Sequence, residues 1–307
     1  MRLLVTGANG QLGWELSRSL MPLGDVVALD RRACDLSRPD LLPGLIRGMT
    51  PDVIVNAAAY TAVDNAEQEE KLATAVNGTA VGVMAEEARK AGILLVHYST
   101  DYVFDGVKET PYTEEDVPHP INAYGRSKLA GDNAVRDVGG VYVLLRTSWV
   151  YAGRRQNFIR TVLRLASERE ELRIVDDQIG APTWARNIAD ATTLIVRAVC
   201  QERAQGQFAS GLFNLTASGA TSWYGFAKAI LEEAKRHGLL STQPMPHLKP
   251  IPSEAYPLPA ARPKNSRLAA ERLGERFGIG LPDWKQALAL CIAEMKTGEQ
   301  IGNKASG

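Results

Sequence analysis

Short apolar runs recur through the first half of the chain, each closed by a polar or small residue. Residues 2–6, 25–30, 52–56, 93–98 and 141–146 are such runs, rich in valine, leucine and isoleucine. Near-continuous apolar segments of this length predict strands buried on both faces. Between them, apolar residues return every three or four positions. This spacing predicts a helix over 11–20 and one long helix over 64–90, with Leu72, Ala75, Val76, Val83 and Met84 on its apolar face. A further helix starts at Asn122. Strands alternating with helices predict a parallel sheet with right-handed crossovers, a doubly wound α/β fold.

The second half is less regular. A helix is predicted over 157–168, a strand over 172–175, a turn over 177–183 with a helix after it, and a short strand over 212–215. Thr221 or Ser222 caps another helix, and Trp284 opens the last one. Seven prolines between Pro244 and Pro263 predict an extended, loop-rich cap over a ligand. Residues 296–307 are polar and read as a frayed tail.

The first turn carries the first chemical signal. Gly7-Ala-Asn-Gly10-Gln11-Leu12-Gly13 lies between a predicted strand and a predicted helix. Glycines there permit a tight turn and close approach of backbone to a pyrophosphate, and the helix N-terminus supplies N–H groups. This predicts a Rossmann-like dinucleotide-binding half over residues 1–150, with later segments returning to it. Residues 151–307 form a smaller, mainly substrate-binding region. Asp30 closes the second strand, at the distance where an acid binds the adenosine ribose. Arg31 and Arg32 follow and suit a 2′-phosphate, so both NADH and NADPH fit. Asp35-Leu36 falls at the expected adenine edge, and Ala59-Tyr60-Thr61 follows the third strand.

The second signal is a strand that ends in hydroxyls. Ser99-Thr100-Asp101 lies at the carboxyl end of the fourth strand, where open parallel sheets bind ligands. Tyr124 and Lys128 stand four apart on the helix that follows, on one face. An ammonium beside a phenol lowers the phenol pKa, which suits proton transfer to a carbonyl or hydroxyl oxygen. Chance alone supplies such pairs, and the chain holds a second, Tyr224 and Lys228. Only the first follows a hydroxyl-ended strand. His97, by alternation, is expected to point away from Thr100 or into core packing.

Composition narrows the partners. Lys plus Arg and Asp plus Glu are 35 each, so no net field favours nucleic acid or an anionic membrane. No apolar stretch reaches membrane-spanning length, and no signal peptide is read at the start. Cys34, Cys200 and Cys291 are scattered without metal-ligand spacing and read as reduced thiols of a cytoplasmic protein.

Together these residues resemble the extended short-chain dehydrogenases/reductases, and within them the dTDP-4-dehydrorhamnose reductases. The segments that carry the resemblance are 6–13, 56–64, 99–106, 124–131, 146–151, 177–183 and 261–266, spread over almost the whole chain. Ser-Thr-Asp-Tyr-Val-Phe-Asp-Gly106 is the most selective, because sugar-nucleotide epimerases usually carry another pattern there. The resemblance implies reduction of the C4 ketone of a dTDP-sugar by NADPH or NADH, for cell-surface polysaccharide such as O-antigen. It implies Tyr124 as proton donor, Lys128 on the nicotinamide ribose and Thr100 on the substrate oxygen. Gly10, Gln11, Leu12, Asp30, Asp35, Leu36, Ala59, Tyr60 and Thr61 then touch the cofactor. Thr100, Asp101 and Trp149 touch the sugar nucleotide. Some members are dimers bridged by magnesium through acids. Glu15 fits that pattern, Arg186 stands where an acid would be expected, and no metal ligand is assigned; a monomer or homodimer is expected. An epimerase would need an extra acid/base in the pocket, and a non-catalytic regulatory relative would lack the Tyr–Lys pair.

Overall fold

The computed structural model of the protein describes residues 1–240 and 245–305. Its organising element is a sheet of six parallel strands: β1 (Arg2–Thr6), β2 (Asp25–Leu29), β3 (Val53–Asn56), β4 (Leu94–Thr100), β5 (Tyr142–Thr147) and a sixth, Gly211–Asn214. The spatial order runs sixth strand, β5, β4, β3, β1, β2. Strand alternation divides the side chains between two apolar layers. Leu3, Val5, Val53, Val55, Val96 and Val143 face Leu16 of the helix Gln11–Ser19, Leu20 just after it, and the buried face of the helix Ala185–Ala204. Leu4, Ile54, Leu95 and Leu144 face Ile46 of the helix Leu42–Met49, Met84 of Ala80–Ala91, and Val135 of Ala123–Val138. Burial on both faces is why these strands read as unbroken apolar runs. The chain winds from β1 to β2 on one side and to β3 on the other, which opens a crevice at the carboxyl ends of β1 and β3.

A second apolar cluster holds the remainder. Tyr151, Ile159, Phe226, Ile230, Trp284 and Leu288 meet there, from the helices Phe158–Glu168, Trp223–Arg236 and Trp284–Ala305.

Four expectations change. The long helix over 64–90 is broken into Val63–Ala66, Glu70–Thr74, a π-turn at Ala75–Thr79, and Ala80–Ala91. The π-turn is Ala-Val-Asn-Gly-Thr, so Gly78 and its low-propensity neighbours weaken the helix there, and the turn is fixed by what Asn77 bonds to, described below. The expected turn over 177–183 contains two short strands, Ile179–Gly180 and Thr183–Trp184. The proline-rich segment is not all loop, since His247–Ile251 pairs in parallel with Glu171–Val175. Pro250 is tolerated because this sheet has only two strands, both of them edges. The tail expected to fray from Lys296 is helical to Ala305. Pro244, Ser306 and Gly307 lie outside the described residues. Among the described residues no helix is long and apolar enough to cross a membrane.

Candidate active site

The turn after β1 is shaped by contact with the loop after β3. Gly7 has φ +71°, and a Cβ on it would lie 2.8 Å from the amide nitrogen of Ala58. Only glycine allows both that backbone angle and that approach. The two loops thereby form one wall of a cavity of about 570 Å³ at the crevice between β1 and β3. Of the residues expected at a cofactor, Gly7, Gly10, Gln11, Leu12, Asp35, Leu36, Ala59, Tyr60, Thr61, Tyr124 and Lys128 line this one cavity. Gly13 packs against the Gly7 backbone instead.

Asp30 is placed differently from Asp35. One carboxylate oxygen accepts the backbone N–H groups of Arg32 and Ala33 at 3.0 and 3.2 Å, and the other accepts the Asn9 side-chain amide at 3.0 Å. It braces the turn, and the neighbouring Arg31 lines the cavity. The Arg31 Nε lies 3.6 Å from Asp35, whose carboxyl is held below its usual range chiefly by the Ser37 backbone N–H and hydroxyl.

At the other end of the cavity β4 contributes Tyr98 and Ser99 to the lining, and Thr100 lies buried just beyond them. Its hydroxyl donates to Asp101 Oδ1 at 2.9 Å and accepts the Tyr102 N–H at 3.2 Å, with the Tyr124 phenol close by. Tyr124 is carried by the helix Ala123–Val138, which starts there because the Asn122 side chain accepts the Gly125 N–H at 2.7 Å. The expected lowering of the Tyr124 pKa is not found. Burial pushes the phenol up to about 12, Thr100 opposes it, and the negative charges of Asp101 and Asp132 add to it. The physical reason is where the lysine points. Lys128 Nζ donates to the Tyr98 carbonyl at 2.6 Å and lies 3.4 Å from His97 Nε2. Burial instead lowers Lys128 to about 8, against the pull of Asp132. Tyr124 is therefore a neutral phenol at physiological pH, and Lys128 is the group tuned towards it. His97 is fully buried, as one of its two expected alternatives had it, but it faces Lys128 rather than apolar packing.

Asp101 is 3% exposed; burial pushes its carboxyl up to about 7, against the Thr100 hydroxyl, and its Oδ2 has no hydrogen-bond partner. Trp149 holds a left-handed backbone, φ 45°, a conformation that a bulky residue adopts only under constraint. Its indole stacks on Trp223 at 3.6 Å and 4°, and its Nε1 donates to Ser266 at 3.1 Å. Trp223 lines a second cavity of about 570 Å³ with Tyr102, Phe158, Gln178, Tyr256 and Arg262. Tyr102 joins this cavity to the first, its ring edge-on to Tyr124 with centroids 5.8 Å apart.

Sequence reasoning missed Asn77, Tyr102 and Arg262. From the π-turn, Asn77 accepts the Tyr60 N–H at 2.9 Å and donates to the Tyr60 carbonyl at 3.0 Å and to Ser127 at 2.9 Å. It ties the loop after β3 to the Tyr124 helix, and no residue pattern announces it. Arg262 grips Asp64 through two bonds of 2.6 and 2.7 Å, so the proline-rich segment is clasped to that same loop. Tyr102 and Arg262 both stand inside segments already singled out by resemblance, which is the signal that finds them. Glu15 is engaged by Arg186 at 3.3 Å, and Arg186 also pairs with Glu294. Among the described residues no three His, Cys, Asp or Glu side chains cluster for a metal. The other pair, Tyr224 and Lys228, lies on the helix against the second core, with Lys228 exposed.

Residues 1–297 match the family described as RmlD substrate binding domain. The chain is 54% identical over 295 residues to a dTDP-4-dehydrorhamnose reductase of Burkholderia thailandensis, covering 96% of this chain and 99% of that protein. It is 43% identical over 301 residues to the dTDP-4-dehydrorhamnose reductase of Escherichia coli strain K12, covering 97% and 99%. The crystal structure of dTDP-4-dehydrorhamnose reductase from Bacillus anthracis in complex with NADP superposes with a TM-score of 0.85 at 33% identity, covering 95% and 99% of the two chains. A UDP-glucose 4-epimerase from Thermus thermophilus, at 20% identity and a TM-score of 0.75, shares the fold.

Proposed function

The chain belongs to the RmlD substrate binding domain family, and from that premise we propose that it reduces the C4 ketone of dTDP-4-dehydro-β-L-rhamnose to dTDP-L-rhamnose with NADPH or NADH. The observation that carries this reading is the near full-length match to reductases of that sugar nucleotide. The geometry supports it: the neutral Tyr124 phenol lines a dinucleotide-sized crevice, with the buried Thr100 hydroxyl near it.

The glycine turn and the Gln11 helix N-terminus fit a pyrophosphate, because Gly7, Gly10 and Gln11 line the crevice where the helix presents its N–H groups. Arg31 suits a 2′-phosphate, with Asp35 beside it for the adenosine end. When bound, the reduced nicotinamide supplies the hydride. Tyr124 holds the proton that the developing C4 alkoxide takes, and at a phenol pKa near 12 it keeps that proton at neutral pH. Thr100 orients the same oxygen. Asp101, with a free Oδ2, accepts a sugar hydroxyl, and Trp149 shields the sugar face. We assign the dTDP moiety to the second cavity, where Arg262 offers charge and Trp223 and Tyr256 offer aromatic surface. Binding energy from that remote part orients the carbonyl.

The cysteines are free, which suits a cytoplasmic enzyme of nucleotide-sugar biosynthesis acting as a monomer or homodimer. The test is oxidation of NADPH or NADH by the purified protein with dTDP-4-dehydro-L-rhamnose, with dTDP-L-rhamnose identified as product. Turnover of GDP-4-keto-6-deoxymannose at a comparable rate would overturn the substrate assignment.

A further inference from the structure

Behind Lys128, which lines the cavity, runs a chain of three buried polar side chains with no part yet in the reaction. Thr6, Asn56, His97 and Lys128 are each no more than 3% exposed. The chain begins at a group that can only donate, the Ala58 backbone N–H, 3.3 Å from Thr6 Oγ1. Thr6 in turn donates to Asn56 Oδ1 at 2.6 Å. That leaves the Asn56 amide nitrogen facing His97 Nδ1 at 3.0 Å. An amide nitrogen donates, so Nδ1 must accept, and a neutral imidazole then carries its hydrogen on Nε2. The reverse arrangement would leave the Thr6 hydroxyl hydrogen buried with no acceptor, which costs more than it returns. Nε2 lies 3.4 Å from Lys128 Nζ.

We propose that His97 is a positioning residue for proton transfer, which presents an Nε2–H to Lys128 and favours the free amine left after Lys128 passes its proton towards Tyr124. An ammonium meets a donor there, whereas an amine offers a lone pair to it. The proposal rests on the reductase reading above. The protons balance as follows. The Tyr124 hydroxyl proton goes to the C4 alkoxide. The phenolate regains a proton from the Lys128 ammonium through an intervening hydroxyl or water that gives one proton and takes another, since Nζ itself is bonded to the Tyr98 carbonyl. The amine accepts a hydrogen bond from His97 Nε2–H, which does not itself move. Water restores the ammonium after product departs.

The groups facing Lys128 pull in opposite directions. From β4 come His97 and the Tyr98 carbonyl. Its own helix brings Tyr124 and Asp132, and Asp132 favours the ammonium. From β5 comes Arg146, 3.4 Å from Asp132, which dilutes that effect. The π-turn contributes only the neutral Asn77, bonded to Ser127. Burial opposes Asp132, and His97 Nε2 is the side-chain nitrogen set against Nζ on the other side.

The direct test is nitrogen NMR of the full-length protein labelled with 15N-histidine, without cofactor, the His97 signals being those absent from His97→Leu. Between about pH 6 and about pH 9 the ring should be neutral with its hydrogen on Nε2. A hydrogen on Nδ1, or a charged ring, overturns the proposal. This reading needs no substrate, so it stands or falls apart from the reductase assignment, which fails instead if the parent does not turn over the sugar. The kinetic test follows the alkaline limb of kcat, where Lys128 loses its proton. In His97→Leu the limb should move up by about one pH unit. Asn56→Val, which frees the ring to carry its hydrogen on Nδ1, should move it the same way. A limb that stays put or moves down in the variants that fold overturns the proposal, and where neither folds the NMR result on the parent decides alone.

Discussion

Two helices of this chain begin alike and differ in chemistry. Ala123–Val138 is capped by Asn122 accepting the Gly125 N–H, and Trp223–Arg236 by Ser222 accepting the Gly225 N–H, at 2.7 and 2.9 Å. Each carries tyrosine at its second position and lysine four residues on. The difference lies in what each helix is packed against. The first lies on the carboxyl end of β4 and on the π-turn, which seal Lys128 to 3% exposure and set Tyr124 beside Thr100. The second lies against other helices in the second core, and Lys228 faces solvent. Spacing makes the pair possible; burial decides which group titrates near neutrality.

The sharpest way to break this comparison is the same change in both helices. Tyr124→Phe keeps the ring and deletes the proton donor. We expect kcat to fall by about two to four orders of magnitude while cofactor affinity barely moves. Near-parent kcat would remove Tyr124 from the chemistry.

The second helix also has a strand-end acid beside it, Asp176 after Glu171–Val175, but that carboxylate accepts the Ser222 hydroxyl, whereas Asp101 is buried with an unbonded Oδ2. With Asp101 raised to about 7 from an ordinary carboxylate value, the folded state binds a proton that the unfolded chain has released between about pH 4 and about pH 7. Stability therefore falls as pH rises through that window and is level above it. Asp101→Asn removes the loss. Its Tm should match the parent near pH 4 and exceed it at pH 8, by an amount worth about 2–4 kcal/mol, while turnover falls. Equal Tm values at pH 8 would show that Asp101 is not desolvated as described.

Asn77→Ala leaves the Tyr60 backbone groups and Ser127 without their partner. A loss of about 1–3 kcal/mol is expected in denaturant unfolding, together with a raised KM for cofactor, since Tyr60 lines that cavity. Unchanged KM would confine Asn77 to stability. The smallest effect belongs to the second helix: Tyr224→Phe should leave kcat within about a few-fold of the parent. A crippled Tyr224→Phe would mean the wrong helix bears the chemistry.

Much of the scaffold was legible because β1 to β5 are apolar on both faces, so their runs are uninterrupted and their ends are marked by Thr6, Asn56 and Thr100. The glycine turn was legible because Gly7 answers a steric demand that only one residue type meets. The break over 64–90 was not, since Gly78 only weakens a helix and the π-turn is fixed by tertiary bonds from Asn77 to Tyr60 and Ser127. The direction of the Tyr124 shift was not either. Spacing places Lys128 nearby, but only the fold shows that its ammonium turns to the Tyr98 carbonyl. Gly211–Asn214 could be read as a strand, yet its place beside β5 depends on a crossover that periodicity does not encode.

The stacked indoles of Trp149 and Trp223 give this molecule an intrinsic optical gauge. One ring follows β5 and the other rides on a helix, and both border the second core, so their overlap reports how that helix sits against the segment after β5. Parallel rings 3.6 Å apart exchange excitation, which should give a near-ultraviolet circular dichroism couplet absent from Trp223→Phe. A sugar nucleotide that pries the rings apart or presses them together would change that couplet during a titration, reporting the motion without any attached label.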